Sequence, residues 1–149
     1  MGAVDLQQVV DLWYMAVTVW GEARGEGAKG MEYVAWVIRN RCRRYGKPVR
    51  EIVTAPHQFS CWNANDPNRK LLADPMAGSQ ANRIAFLTAL QTAYRVLTAD
   101  ESQNPLPGVY WYYARTIPRP KWAEKLEVVH LPDAGNHIFL REPRKEARA

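Results

Sequence analysis

The sequence predicts an α+β fold, mostly helical, in which three helices pack beside a small β-hairpin or sheet within one domain spanning residues 1–149. Three observations carry this. Apolar residues recur at three- and four-residue spacing in three stretches, and the β-prone runs are short and fall late in the chain. A length of 149 residues with 47% hydrophobic content supplies one core rather than two. A charged fraction of 23%, with Trp, Tyr, Leu, Ile and Val spread along the chain, excludes a disordered polyelectrolyte.

The first helix starts after Asp5, which has the side chain of an N-cap, and places Leu6, Val9, Val10, Trp13, Ala16, Val17 and Trp20 on one face before ending near Gly21. The second runs from Ala28 to about Tyr45 on Met31, Val34, Ala35, Ile38 and Cys42, and Gly46 ahead of Lys47-Pro48 stops it. Residues 54–82 carry Pro56, Pro67, Pro75 and Gly78 among several Asn and Asp, which predicts a long, ordered surface loop. Loops of that length inside a compact domain are uncommon and are often functional. Helical spacing returns from Arg83 to Thr98 through Ile84, Leu87, Leu90, Tyr94 and Leu97. Beyond Asn104-Pro105-Leu106-Pro107-Gly108, Val109 to Tyr113 is aromatic and β-prone, His137 to Leu140 is a second such run, and Arg141 to Ala149 is a charged tail.

The formal charge of +5 and a sequence pI of about 9.4 favour polyanions at long range. Much of the excess lies in Arg39 to Arg50 and in the tail, and both runs read as solvated faces. No nucleic-acid-binding motif is present, so nucleic acid is not an expected partner. The apolar stretch Val9 to Trp20 is broken by Asp11 and lacks the order of a signal peptide, and no run reaches the roughly 20 apolar residues of a membrane span. The expectation is a soluble monomer made in the cytoplasm without an export signal or stable membrane insertion. Cys42 and Cys61 match neither a metal site nor a disulfide framework; free buried thiols are expected, with a single bridge left open.

The chemistry concentrates where the first helix gives way to a Gly-rich turn. Glu22 and Glu26 stand between Gly21, Gly25 and Gly30, which leave room for close substrate approach, and Trp20 is placed to desolvate an acid. Glycoside cleavage needs a general acid with a raised pKa, and hydrolysis usually needs a second carboxylate, for which Glu26 is the nearer candidate and Asp66 the remoter.

Four blocks, Gly21-Glu22-Ala23-Arg24-Gly25-Glu26, Gln58-Phe59-Ser60-Cys61-Trp62, Pro120-Lys121-Trp122-Ala123 and Gly135-Asn136-His137-Ile138-Phe139, resemble in content and order the cell-wall hydrolase family of spore cortex-lytic enzymes. They span roughly residues 11 to 141. The resemblance implies a lysozyme-like α+β fold, cleavage of peptidoglycan glycan strands between N-acetylmuramic acid and N-acetylglucosamine, and Glu22 as catalytic acid, with Glu26 carried over as motif. Without an export signal or wall-binding module, the chain looks more like a bacteriophage endolysin, released by a holin to act on the wall in the periplasm. A lytic transglycosylase, in which the muramic acid 6-hydroxyl is the nucleophile, is the first expectation. A hydrolysing muramidase is its rival, and a non-catalytic wall- or polyanion-binding module the remote alternative.

The remaining candidates are substrate-binding. Gln58 and Ser60 either hydrogen-bond sugar acetamido and hydroxyl groups or close turns. Aromatics are mostly core, so only part of the set Trp62, Trp111, Tyr112, Tyr113 and Trp122 should line the groove, and Trp62, Tyr112 and Trp122 are the choices. His137 is expected to hydrogen-bond backbone near the cleft. With His130 and Asp133 it fits no common zinc spacing, so no metal or organic cofactor is expected. The basic tail, with Arg141, Arg144, Lys145 and Arg148, is placed to touch the anionic cell envelope.

Overall fold

A computed structural model describes residues 5–144. Lys145 and Arg148 of the tail lie outside them. The fold is α+β and mostly helical, with four helices and a three-stranded antiparallel sheet. Helix α1 spans Leu6–Ala23 and opens on Asp5, whose carboxylate accepts the Gln7 N–H at 2.9 Å. It therefore runs past Gly21, and Glu22 sits in its last turn. Every residue from Met15 to Gly21 is buried, because α2, α4 and the 54–82 segment enclose the C-terminal half of α1 on all sides. Its N-terminal half has no such cover, so Leu6, Val9, Val10 and Trp13, assigned to the apolar face by spacing, are exposed to a large degree.

Helix α2 (Gly27–Tyr45) ends on Gly46 in the left-handed region at φ +61°, the conformation that stops a helix at lowest cost when the residue has no Cβ. The polar edge of α2 ties the molecule together. Arg39 Nη1 donates to Val96 O and Ala99 O at 2.6 and 2.7 Å, and Asn40 Nδ2 donates to Leu106 O and Val109 O at 2.8 and 2.9 Å. Arg39 and Arg41 are thus buried, and the run Arg39 to Arg50 is a solvated face only from Arg43 onward.

The predicted 54–82 loop is loop from 54 to 79, punctuated by short 3-10 turns at Ser60–Trp62 and Leu71–Ala73, while its last three residues are helical and a brief helix α3 (Val49–Val53) precedes it. Helix α4 (Gln80–Thr98) starts on Ser79, whose hydroxyl accepts the Asn82 N–H. It buries Phe86, Ala89, Thr92, Ala93 and Val96, leaving Ile84, Leu87 and Tyr94 outside. The small residues Ala89 and Ala93 let α1 and α2 approach closely, and that decides which face turns inward.

Strands β1 (Val109–Ala114), β2 (Glu127–Val129) and β3 (His137–Arg141) form a sheet in the order β1-β3-β2, with Tyr112 opposite Phe139 and Ala114 opposite His137. One face packs on the helical core through Val109, Tyr112 and Phe139. The other holds Tyr113 and Leu140 against Ala123, with Trp111 and Leu126 at its edge.

Candidate active site

Three elements converge on Glu22: the last turn of α1 supplies the acid, the loop brings Ser60 and Cys61, and β1 brings Tyr112. The Glu22 carboxylate accepts from Tyr112 Oη at 2.9 Å on one oxygen, and from Ser60 Oγ at 3.2 Å and the Cys61 N–H at 3.3 Å on the other. The loop comes this close because of Gly21. A Cβ there would lie 2.9 Å from Cys61 Cβ and 2.9 Å from Leu72 Cδ2, so a larger residue would push the donors off the acid.

Burial raises the pKa of Glu22 above the ordinary carboxylate value and outweighs the hydrogen bonds from Tyr112, Ser60 and Cys61, which act the other way. The desolvation does not come from Trp20. That indole turns toward α4, where Nε1 donates to Asn82 O at 3.0 Å and the ring meets Phe86 edge-on. Tyr112 and the Cys61 turn enclose the acid instead, and burial together with the Glu22 charge pushes both their own pKa values up. A half-buried carboxylic acid, inclined to hold its proton and braced by three donors when it gives it up, is suited to proton transfer in both directions.

Glu26 is not part of this cluster. It precedes α2 and turns to the start of β3, where its carboxylate accepts the Asn136 N–H at 2.5 Å. Gly135 makes the contact possible, since its φ of +66° suits glycine and a Cβ there would collide with the Glu26 side chain. His137 follows in the same strand, buried with its ring 4.7 Å from that of Tyr112. Burial lowers its pKa, and its Nδ1 has no hydrogen-bond partner among the described residues, so the expected backbone bond is not formed. Asp66, the remoter carboxylate, accepts the Asn68 N–H at 2.8 Å within its own turn.

Tyr112, the donor to Glu22, also lines a cavity of about 430 Å³, within the usual range for small-molecule sites, together with Arg41, Gln58, Trp111 and Trp122. Trp122 is half-exposed there, edge-on to Tyr113. Gln58 meets the cavity too, but its Oε1 accepts from Arg41 Nη1 at 3.1 Å. Trp62 faces away from it, stacked on Tyr14 with its indole N–H donated to Thr18 Oγ1 at 2.8 Å. The structure therefore brings Glu22, Ser60 and Tyr112 together, sets Gln58 and Trp122 beside them, and parts them from Glu26, Trp62 and, by one ring, His137.

Sequence reasoning missed Arg41 and the Cys61 backbone N–H, and within the aromatic set it passed over Trp111, which lines the cavity, for Trp62, which does not. Arg41 was within reach, because it falls three residues after Ile38 and seven after Val34, on the border of the apolar face of α2. The cysteines are free, as the residue pattern favoured.

A family model described as Cell Wall Hydrolase matches residues 25–140. The match takes in Glu26 and the loop, sheet and cavity residues, and it begins just after Glu22. No curated protein and no solved structure matches the chain.

Proposed function

The chain belongs to the cell wall hydrolase family, and from that premise we propose that Glu22 cleaves the peptidoglycan glycan strand between N-acetylmuramic acid and N-acetylglucosamine as a lytic transglycosylase. The observation that carries the reading is one enclosed carboxyl group with a raised pKa and three donors, none of which it shares with another carboxylate among the described residues. A hydrolase would place a second carboxylate about 5 Å from the acid for retention or about 6.5–9.5 Å for inversion. Glu26 and Asp66 accept the Asn136 and Asn68 backbone N–H groups, and neither bonds to Glu22 or to its three donors.

In this mechanism protonated Glu22 gives its proton to the glycosidic oxygen as the bond to muramic acid C1 breaks, and the N-acetylglucosamine leaves as an alcohol. Tyr112, Ser60 and the Cys61 N–H stabilise the carboxylate that results. The C6 hydroxyl of the same muramic acid then closes on C1, its proton passes to Glu22, and a 1,6-anhydro ring forms. No water is consumed, and the acid is restored. The aromatic wall of Trp111 and Trp122 offers a face for sugar rings.

The setting we infer from the resemblance is bacteriophage-driven host lysis, the enzyme reaching the periplasmic wall after holin-type release. Co-expression with a holin should lyse cells where either protein alone does not. The reaction itself is tested by mass spectrometry of fragments released from purified sacculi, with Glu22→Gln alongside. Fragments ending in 1,6-anhydromuramic acid, absent with the variant, are expected. Reducing muramic acid ends, heavier by one water, would make the enzyme a muramidase, and release of nothing by the wild type would overturn glycan cleavage.

A further inference from the structure

Arg41 carries a buried positive charge that the acid machinery does not use. It is 9% exposed, its Nε donates to Tyr110 O at 2.7 Å and its Nη1 to Gln58 Oε1 at 3.1 Å, and its guanidinium lies 5.1 Å from the Phe59 ring centroid. Among the described residues no carboxylate pairs with it, whereas Arg39, Arg43, Arg44 and Arg141 each have one within 4 Å. Its Nη2 makes no hydrogen bond there and is not sealed from solvent. A charge taken out of water without a counter-charge is costly, and an arginine fork with open donors at a cavity wall suits a carboxylate.

The position gives that fork a use. Arg41, Gln58 and Trp111 are shared by two neighbouring cavities of about 430 and 420 Å³. The first is lined by Tyr112, the residue that donates to Glu22. The second adds Lys47 and Glu51, whose charges offset each other, so Arg41 supplies the surplus charge. The sugars of a peptidoglycan strand are N-acetylated and neutral, and its negative charge resides in carboxylates carried on the muramic acid side. Resting on the reading of Glu22 as a glycan-cleaving acid, we propose that Arg41, braced by Gln58 and Tyr110 O, binds a carboxylate of the muramic acid substituent and makes the enzyme select charged over neutral strands.

The test compares native sacculi with sacculi whose carboxylates have been converted to amides by carbodiimide and ammonia. Wild-type kcat/KM should fall about 10- to 100-fold on the amidated wall, the size of a lost hydrogen-bonded charge. Arg41→Gln should cut both walls at one similar, low rate, and Arg41→Lys should keep part of the preference. A merely structural role for Arg41 predicts equal proportional losses on both walls, which overturns the proposal. The wild-type ratio, read in salt high enough to screen the net charge of +5, decides even where the variants do not fold, and a ratio of one overturns it. In native sacculi the lactyl carboxyl is tied up as an amide to the stem peptide, so a preference lost on amidation assigns the carboxylate to the stem. Saccharide release from native sacculi in the same digests tests glycan cleavage by itself. Release with a ratio of one removes only the subsite, and its absence removes both.

Discussion

Removing the Tyr112 hydroxyl should push the acid of this enzyme further from ordinary carboxylate behaviour, not back toward it. In Tyr112→Phe the ring stays against Phe59, His137 and Phe139, so the enclosure of Glu22 is kept. What disappears is the 2.9 Å hydrogen bond to the carboxylate, the foremost of the interactions that hold its pKa down. A hydrogen bond to a charged group is worth about 1.5–3 kcal/mol, or about one to two pH units at roughly 1.36 kcal/mol each. Ser60 and Cys61 still donate to the other oxygen and water can replace part of the loss, so about one unit is expected. The assay is kcat/KM on solubilised glycan strands as a function of pH. Its alkaline limb reports loss of the proton from the free enzyme's acid and should move up by about one pH unit. A limb that stays in place, or moves down, would refute the assignment of Tyr112 as the donor that restrains Glu22.

The same burial has a consequence for stability. Because the folded pKa of Glu22 lies above its unfolded value near 4.5, the native state holds that proton more tightly; the stability this lends is full below pH 4.5 and is lost as pH rises through the folded value. Glu22→Gln should therefore gain in Tm relative to wild type as pH rises from 4 to 8, and a gap constant across that range would count against a raised pKa. Gly21→Ala should cost about 1–3 kcal/mol in chemical denaturation by overpacking against Cys61 and Leu72, and should lower kcat as well. Gly25→Ala meets nothing within 4 Å and should do neither; equal effects at the two positions would show that the close approach at Gly21 is unimportant. Burial pushes the half-buried Cys42 thiol up to about 12 and raises that of the fully buried Cys61, so Ellman's reagent at pH 8 should label native Cys42 slowly and Cys61 only on unfolding, and fast labelling of two thiols in the native protein would contradict this.

The sequence by itself determined the elements. Periodicity located α1, α2 and α4 to within a few residues, Gly46 marked the end of α2, and the aromatic run from Val109 located β1. It missed α3, a five-residue helix too short for periodicity, and β2, whose three half-buried residues carry no alternation to read. The motif containing Glu22 also stood out, since its glycines and acid are local features. What lay beyond reach was direction. Spacing shows that a helix has an apolar face but not which flank its neighbours will cover, so the exposure of Leu6 and Trp13 on α1 and of Ile84 and Leu87 on α4 could not be read from it, while Ala89 and Ala93 won the interior by being small.

The site divides the same way. The motif supplied two glutamates four residues apart, and only the tertiary structure separated them, sending Glu22 to Tyr112 and Ser60 and Glu26 to Asn136. Those partners lie 90, 38 and 110 residues away along the chain. Local sequence fixes which side chain leaves the backbone where; whether it is desolvated, restrained or paired depends on groups that become neighbours only when the loop folds back over Gly21 and the sheet closes beside it. Burial and hydrogen bonding set a pKa through those neighbours, and for that reason Glu22 could be picked out of the chain as a candidate while its raised pKa could not be read there.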